Sequence, residues 1–404
     1  MDTTVLAIFG LVYLGMMFGK LPWLAIDRTG VALLGAIALI ATGRLSPQEA
    51  WEAVDVSTIA LLLGLMVVSA QFRLGGFYTR LTRRLAGLEV SPATLLAALV
   101  AVVGGLSALL ANDIVCLAVA PVLVEGCARR GLDPVPFLLA LACAANVGSA
   151  ATLIGNPQNM LIGQSLGLSF GGYLASAALP SLLGLGVVWG VLCWQFAGRW
   201  WRSCAVPTVE APPFRPWQTA KGLAVLLGLV AAFLFTGWPR EVLALGAAGL
   251  LLTSRRLASR DLLGLVDWQL LVLFAGLFVV NHALAATSTL GHLLRAAEGR
   301  GLDLAEPAWL FAATALLSNL VSNVPATMLL LPLATHPLAG PILGLSSTLA
   351  GNLIIVGSIA NIIVVDQAGR LGVKIGWLDH ARAGVPVTLL TLAVAAGWLW
   401  LGSP

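Results

Sequence analysis

The sequence predicts an all-α polytopic membrane protein with about ten transmembrane helices and two re-entrant hairpins, arranged as two inverted-topology repeats. Composition and an internal repeat are the two observations behind this prediction. Of the 404 residues, 59% are hydrophobic and only 10% are charged, and the mean hydropathy is +0.96. Soluble domains carry about 25% charged residues. A dozen apolar segments separated by short charged loops therefore indicate a chain that lies in a bilayer.

The internal repeat relates residues 28–87 to residues 240–299. Adding 212 to a position in the first copy gives its partner in the second without a gap, as for Gly64 and Gly276. The match resumes further on with shifted offsets, and it then pairs Asn112 with Asn323, Gly155 with Gly357, Asn159 with Asn361 and Pro180 with Pro386. Duplicated halves in an apolar chain are typical of secondary transporters, whose substrate site lies where the repeats meet.

Ten apolar runs are long enough to cross a membrane as tilted helices, five in each half. They lie at about 4–19, 29–43, 55–72, 136–166, 173–195, 218–237, 240–254, 266–285, 340–368 and 383–401. Two further stretches, 92–129 and 306–336, are too short for two full spans and carry polar residues at their centres. They predict re-entrant hairpins, which a bilayer tolerates only where the tip is buried in protein or lines a water-filled cavity.

The distribution of Lys and Arg predicts the orientation. With the N-terminus outside, only Arg44, Arg240, Arg295 and Arg300 of the 22 basic residues lie outside the cytoplasm, which is a strong positive-inside bias. Five spans per half invert the second repeat, so hairpin 92–129 enters from the cytoplasm and hairpin 306–336 from outside. The predicted domains are a first repeat at 1–199, a cytoplasmic linker at 200–216 and a second repeat at 217–404. We expect the protein in the inner (plasma) membrane of a prokaryotic cell, with both termini on the outer side.

Each half has two places where polar groups at membrane depth lack helical partners. One is the hairpin tip, and the other is a break inside a long span, where Pro157 cannot donate a helical hydrogen bond. Freed carbonyl groups bind cations, and the N-termini of half-helices favour anions or polar oxygens. The predicted substrate-binding residues are Asn112, Ser322 and Asn323 at the tips and Gly155, Asn156, Asn159, Gly357, Ser358 and Asn361 at the breaks.

Asp113 is the predicted coupling residue. A carboxylate at membrane depth is costly and is by default a functional hypothesis. Burial favours its protonated form and a bound cation its ionised form, so the coupling ion is H⁺ or Na⁺. Asp366, near the end of the second broken span, is the other candidate and faces either the inner vestibule or solvent. A sodium ion would take its ligands from Asn112, Asp113, Asn156, Asn323 and Ser358.

Enzymatic activity is not expected. The five cysteines show no CxxC or other metal spacing, and the sequence has no catalytic nucleophile motif or nucleotide-binding loop. We therefore expect no cofactor and no resident metal site. The expected partners are a small inorganic or anionic solute and the lipid bilayer, with no nucleic acid, and a homodimer is left open. A membrane scaffold without transport activity would not require polar breaks placed in pairs.

At these residues the chain resembles the ion transporter superfamily, and within it the branch of arsenite permeases and plant silicon efflux transporters. The resemblance covers nearly the whole chain. It rests on Asn112-Asp113, Ala145-Asn146-Val147-Gly148-Ser149, Gly155-Asn156-Pro157-Gln158-Asn159, Ser322-Asn323-Val324-Pro325, Ala350-Gly351-Asn352-Leu353, Gly357-Ser358-Ile359-Ala360-Asn361 and Gly384-Val385-Pro386. The dicarboxylate branch has Ser-Asn-Thr at both tips. That Thr is replaced here by Asp113 and Val324.

The resemblance implies a scaffold region and a transport region that move against each other. It also implies proton-coupled efflux, by antiport, of a small metalloid hydroxide such as arsenite or silicic acid. The residues agree in part, because no Lys or Arg lies within a spanning core and neutral amide and hydroxyl groups suit a polyhydroxyl solute. Helix N-termini also bind anions unaided. A sodium-coupled anion transporter for citrate or succinate is therefore the alternative.

Overall fold

The computed structural model describes residues 2–19, 25–202, 206–207, 209, 212–287 and 303–402. Arg295, Arg300, residues 288–299 of the second repeat copy and part of the linker at 200–216 lie outside these residues, as do Lys20 among the basic residues and Cys204 among the cysteines. The described chain is helical, and an isolated β-bridge joins Leu132 and Trp201. This confirms the predicted all-α class.

The helices follow the two halves of the chain. The first half contains α1 (Thr3–Phe18), α2 (Arg28–Ala41), α3 (Pro47–Glu52), α4 (Val56–Leu74), α5 (Phe77–Ala86), α6 (Pro92–Leu109), α7 (Asn112–Arg129), α8 (Pro134–Ser149), α9 (Pro157–Ser165) and α10 (Phe170–Gln195). The second contains α11 (Pro216–Phe235), α12 (Arg240–Leu252), α13 (Ser259–Leu263), α14 (Trp268–Ala285), α15 (Pro307–Val321), α16 (Asn323–Leu330), α17 (Ala339–Ala350), α18 (Ile359–Arg370) and α19 (Trp377–Leu401). Two 3₁₀ turns, Leu331–Leu333 and Ile355–Gly357, follow α16 and precede α18.

Six of the described helices, α4, α6, α10, α11, α14 and α19, are long and apolar enough to cross a membrane. Shorter apolar helices make up much of the rest: α1, α2, α8, α15, α16 with its 3₁₀ extension, and α17. At a rise of about 1.5 Å per residue, a helix of 14 residues such as α2 is roughly 21 Å long. It is therefore shorter than the hydrocarbon core of about 30 Å.

The two long runs predicted to be interrupted are each divided into two helices. In the first, α8 ends at Ser149 and α9 begins at Pro157, and the Asn156 side chain caps α9 by accepting from Asn159 N–H at 2.9 Å. In the second, α17 ends at Ala350 and α18 begins at Ile359, with Ser358 as the N-cap. The proline and the capping residues act as expected from their chemistry, since both favour a helix start.

The hairpin turns are short. Leu110 and Ala111 join α6 to α7, whereas Ser322 alone joins α15 to α16. Ser322 has φ 80° and ψ 160°, and it is the only non-glycine residue with a positive φ in the described part of the chain. This region of backbone space is essentially restricted to glycine, and other residues there cost about 1–3 kcal/mol. The second tip is therefore held in a strained conformation by its surroundings.

Two glycines show how the repeats pack against each other. A Cβ atom on Gly64 in α4 would lie 2.6 Å from the carbonyl carbon of Ala244 in α12, and one on Gly276 in α14 would lie 2.8 Å from that of Ala32 in α2. Each contact becomes the other when 212 is added to or subtracted from both positions. A two-fold relation between the repeats produces this exchange. The boundaries 1–199, 200–216 and 217–404 stay a prediction.

We predict that Gly64→Val destabilises the folded protein by about 3 kcal/mol, because its side chain would meet the α12 backbone, which cannot rotate away as a side chain can. Gly246→Val is the matched control, since a Cβ at Gly246 meets nothing within 4 Å and the change should stay within about 0.5 kcal/mol. Thermal unfolding of both variants in detergent would measure the difference. Equal unfolding midpoints would contradict this account of the α4–α12 contact.

Candidate functional site

The two hairpin tips contact the two broken spans. The backbone N–H of Asn112 donates to the carbonyl of Gly155 at 3.3 Å. In the second half, the Asn323 amide, turned so that its nitrogen and oxygen both find partners, donates to the carbonyl of Gly357 at 3.2 Å. Each tip is thus bonded to the glycine of the break in its own half. The first turns of α7, α9, α16 and α18 meet at this place, because Asn112 and Ser358 both contact Asn146 and Gln158 contacts Asn323.

Two asparagine side chains bind the carbonyl groups that the breaks leave without helical partners. Asn159 Nδ2 donates to Ser149 O at 3.3 Å and to Thr152 O at 2.9 Å. Asn361 Nδ2 donates to Gly351 O at 2.8 Å and to Ile354 O at 3.1 Å. Adding 202 converts the first set into the second. In both halves, therefore, an asparagine amide supplies the hydrogen bonds that the carbonyl groups of the break lack within the helix.

The glycines of the breaks are required by close packing. A Cβ on Gly155 would lie 2.3 Å from the carbonyl oxygen of Ser149, and a Cβ on Gly357 would lie 2.7 Å from Asn319 Oδ1. Neither distance leaves room for a side chain. Glycine is the residue that permits such an approach of backbone to backbone or to a polar group. The sequence prediction placed these two glycines in the site, and the structure places both beside the tips.

Asn146, buried in α8, joins the two halves of the cluster. Its Nδ2 donates to Asn352 Oδ1 at 2.8 Å and to Asn361 Oδ1 at 3.2 Å. Its Oδ1 accepts from Ser358 Oγ at 2.8 Å and from Asn112 Nδ2 at 3.4 Å. One amide thus contacts the first tip and three positions of the second broken span.

Thr348 is the counterpart of Asn146 in the second half, 202 positions later. Its hydroxyl oxygen accepts from Asn156 Nδ2 at 3.2 Å and from Gln158 Nε2 at 3.1 Å. Gln158 also donates to the Asn323 amide oxygen at 3.2 Å. The sequence prediction did not include Asn146, Thr348, Gln158 or Asn352 among the site residues. A signal was present, because Asn146 stands alone in an apolar helix and the repeat points from it to Thr348.

Asp113 faces a cavity beside the cluster. The cavity has a volume of about 200 Å³, and its polar lining residues are Arg73, Asp113 and Asp267. The backbone N–H of Asp113 donates to Asn112 Oδ1 at 3.0 Å, but no described residue hydrogen-bonds to the Asp113 carboxylate. Asp267 caps α14 by accepting from Leu270 N–H at 3.0 Å. Apolar side chains of α4, α7, α9, α14 and α18 form the remaining walls.

Two predicted residues are placed differently from the rest. Asp366 is exposed and pairs with Arg370, with 2.9 Å between Oδ2 and Nε, so the structure does not bring it to the cluster. Its role in coupling stays a prediction. The Ser322 side chain makes no hydrogen bond to any described residue, and Ser322 contributes its strained backbone to the second tip. The described residues include no group of three or more His, Cys, Asp or Glu side chains that could hold a metal ion.

The sequence of the chain matches a known transporter family. The citrate transporter family model matches residues 13–342. An uncharacterized transporter of Mycobacterium tuberculosis is 30% identical over 402 residues, which cover 93% of this chain and 94% of the relative. The silicon efflux transporter LSI3 of Oryza sativa subsp. japonica is 28% identical over 461 residues, which cover 96% and 95% of the two chains.

Among solved structures, the YdaH transporter of Alcanivorax borkumensis matches with a TM-score of 0.60 at 15% sequence identity, and the match covers 99% of this chain and 97% of that one. This likeness shows the fold. The family match and the relatives together show an integral membrane transport protein. The chain belongs to the citrate transporter family, within the ion transporter superfamily.

Proposed function

We propose that this transporter is a secondary active carrier that exports a small neutral polyhydroxyl solute, such as silicic acid or arsenite, in exchange for protons. The observation that carries the proposal is the composition of the polar cluster. The cluster contains amide, hydroxyl and backbone groups, and no Lys or Arg from the described residues takes part in it. A multivalent anion would normally meet a guanidinium or ammonium group.

Buried polar atoms around the cluster support a solute that can both donate and accept hydrogen bonds. Asn352 Nδ2, Asn319 Oδ1 and Thr327 Oγ1 are buried and have no hydrogen-bond partner in the described residues. An unpaired buried polar atom costs about 1–3 kcal/mol. A hydroxyl group can donate to the two oxygens and accept from the nitrogen, so a polyhydroxyl solute matches this mixed set better than a carboxylate, which only accepts.

Asp113 supports proton coupling. Its carboxylate lies on the wall of a cavity next to the Asn112 tip and has no protein partner among the described residues. A carboxyl group in such a place can exchange a proton when solute binds or leaves. In the proposed orientation, Arg73 and Asp267 lie toward the cytoplasm, so the solute would load from that side. Export also agrees with the name of the rice relative, a silicon efflux transporter.

Sodium-coupled transport of citrate or a dicarboxylate is the second candidate. Four helix N-termini, those of α7, α9, α16 and α18, meet at the cluster, and the positive ends of helix dipoles attract anions without any basic side chain. The description of the family as citrate transporters favours the same class of solute.

Flux into proteoliposomes distinguishes the two candidates. We expect silicic acid or arsenite to accumulate under an imposed pH gradient with no sodium present, and succinate and citrate to remain at the level of protein-free liposomes. A sodium gradient at constant pH should have no effect. Uptake of succinate or citrate that follows sodium and ignores a pH step would replace the first proposal with the second.

A further inference from the structure

We propose that a cavity between the end of α10 and the start of α19 binds the headgroup of an anionic phospholipid. This cavity is separate from the solute site, so the proposal of lipid binding does not depend on the proposed function. Its volume is about 410 Å³. Its charged lining residues are Asp133, Arg199, Arg202, Lys374, Asp379 and Arg382.

The positive charges of the cavity are only partly neutralised. Arg202 approaches Asp133 with 4.0 Å between Nη1 and Oδ1. Lys374 and Arg382 make no ion pair with any described residue, and both line the cavity. Basic side chains that face a shared cavity without a carboxylate partner attract an external anion, and a phosphodiester group offers oxygen acceptors to Lys and Arg alike.

The two carboxylates of the cavity are already used by backbone N–H groups. Asp133 Oδ1 accepts from Val135 N–H at 3.1 Å, at the start of α8. Asp379 Oδ2 accepts from Gly376 N–H at 2.9 Å, at the start of α19. Each carboxylate thus caps a helix. The cavity is therefore lined by four cationic side chains and by two carboxylates that are bonded to backbone N–H groups. The N-terminus of α19 adds its own partial positive charge.

The position of the cavity favours a lipid over a soluble phosphate. It lies at the ends of two membrane-spanning helices, α10 and α19, and Trp194 on its rim is 77% exposed. Trp377, in the first turn of α19, is 60% exposed. Exposed Trp side chains at the ends of spanning helices mark the membrane interface. Basic pockets between such helices on the cytoplasmic side bind the headgroups of anionic lipids.

A lipid at this position would contact both repeats. The Gln195 side chain at the end of α10 donates to the carbonyl of Arg382 in α19, so the two helices are bonded at the cavity itself. These helices are also related by the internal repeat, which pairs Pro180 with Pro386. The bound headgroup would bridge the end of the first repeat and the last helix of the second.

The test measures binding of phosphatidylglycerol and phosphatidylcholine to the delipidated full-length protein by native mass spectrometry. Each basic side chain near an anionic headgroup contributes roughly a factor of five in affinity. We therefore expect Lys374→Gln/Arg382→Gln to bind phosphatidylglycerol about 30-fold more weakly than wild type, with binding of phosphatidylcholine unchanged. Lys374→Arg/Arg382→Lys retains the charge and should bind as wild type does.

Arg84→Gln/Arg260→Gln is the matched control, because it removes two exposed positive charges outside the cavity and should leave phosphatidylglycerol binding within about twofold. Equal loss in this control would mean unspecific attraction and would overturn the site. Glycerol phosphate should not displace the lipid, and displacement at equal concentration would overturn the assignment to a lipid. If the double variant fails to run as a single species in gel filtration, Lys374→Gln alone decides the matter through a fivefold loss.

Discussion

Replacing Asp113 by Asn is expected to abolish proton-driven accumulation of solute while leaving solute exchange between two equal pools intact. The carboxylate lines the cavity beside the first tip and has no hydrogen-bond partner among the described residues, whereas Asp267, the other carboxylate of this cavity, is bonded to the α14 backbone. Asparagine preserves size and polarity, but its side-chain amide does not take up or release a proton as a carboxyl group does. Without the proton, solute binding is no longer linked to the pH gradient, and net uptake should fall at least about 100-fold.

Asp267→Asn is the matched control for this experiment. Asp267 lines the same cavity, and its carboxylate caps α14, a role that Asn fills about equally well. Its accumulation should stay close to that of wild type. The measurement compares gradient-driven uptake with counterflow exchange in the same liposomes. Undiminished accumulation by Asp113→Asn would assign proton coupling to another group.

Asn146→Ala is expected to have the second large effect, on stability and transport together. The change removes the donor for Asn352 and Asn361 and the acceptor for Ser358 and Asn112. Leaving buried polar groups unpaired costs about 1–3 kcal/mol each, and we expect a total loss of about 4 kcal/mol after partial rearrangement. Flux per folded molecule should fall about 100-fold, because displacement of the groups that contact the solute weakens its binding.

The control is a buried amide outside the cluster. Gln71 in α4 donates to the backbone carbonyl and side-chain oxygen of Gln218 in α11, at 3.0 and 2.9 Å. Gln71→Ala should lower the thermal unfolding midpoint but leave flux per folded molecule near the wild-type level. Thermal unfolding in detergent and counterflow in liposomes measure the two quantities. A comparable loss of flux in both variants would mean that Asn146 acts through stability alone.

Local chemistry made the breaks and tips predictable. Pro157 excludes a continuous helix, and the repeat transfers that break to Ser358, where no proline stands. The central role of Asn146 was not predictable in the same way. It lies in the middle of a regular helix, and its partners in the second half become neighbours only through tertiary packing. The pattern that locates breaks does not register an amide inside an intact helix.

Two further results depend on geometry that the sequence does not encode locally. The exposure of Asp366 is fixed by the rotation of α18 about its axis, which the packing of buried Asn361 and Val364 determines. The one-residue turn at Ser322 requires a backbone conformation that favours glycine, so local propensity argues against it. The fold imposes this turn because both hairpin arms pack against fixed neighbours.

The amides of Asn159 and Asn361 hold the two breaks in shape through hydrogen bonds within the protein itself. A pocket whose backbone is already ordered loses little conformational entropy when cargo enters. It also gives little back when cargo leaves, so loading and unloading can be nearly balanced in free energy. A carrier that must release its cargo on every cycle benefits from that balance. Turnover would then be limited by the movement of the whole cluster rather than by refolding of the broken spans.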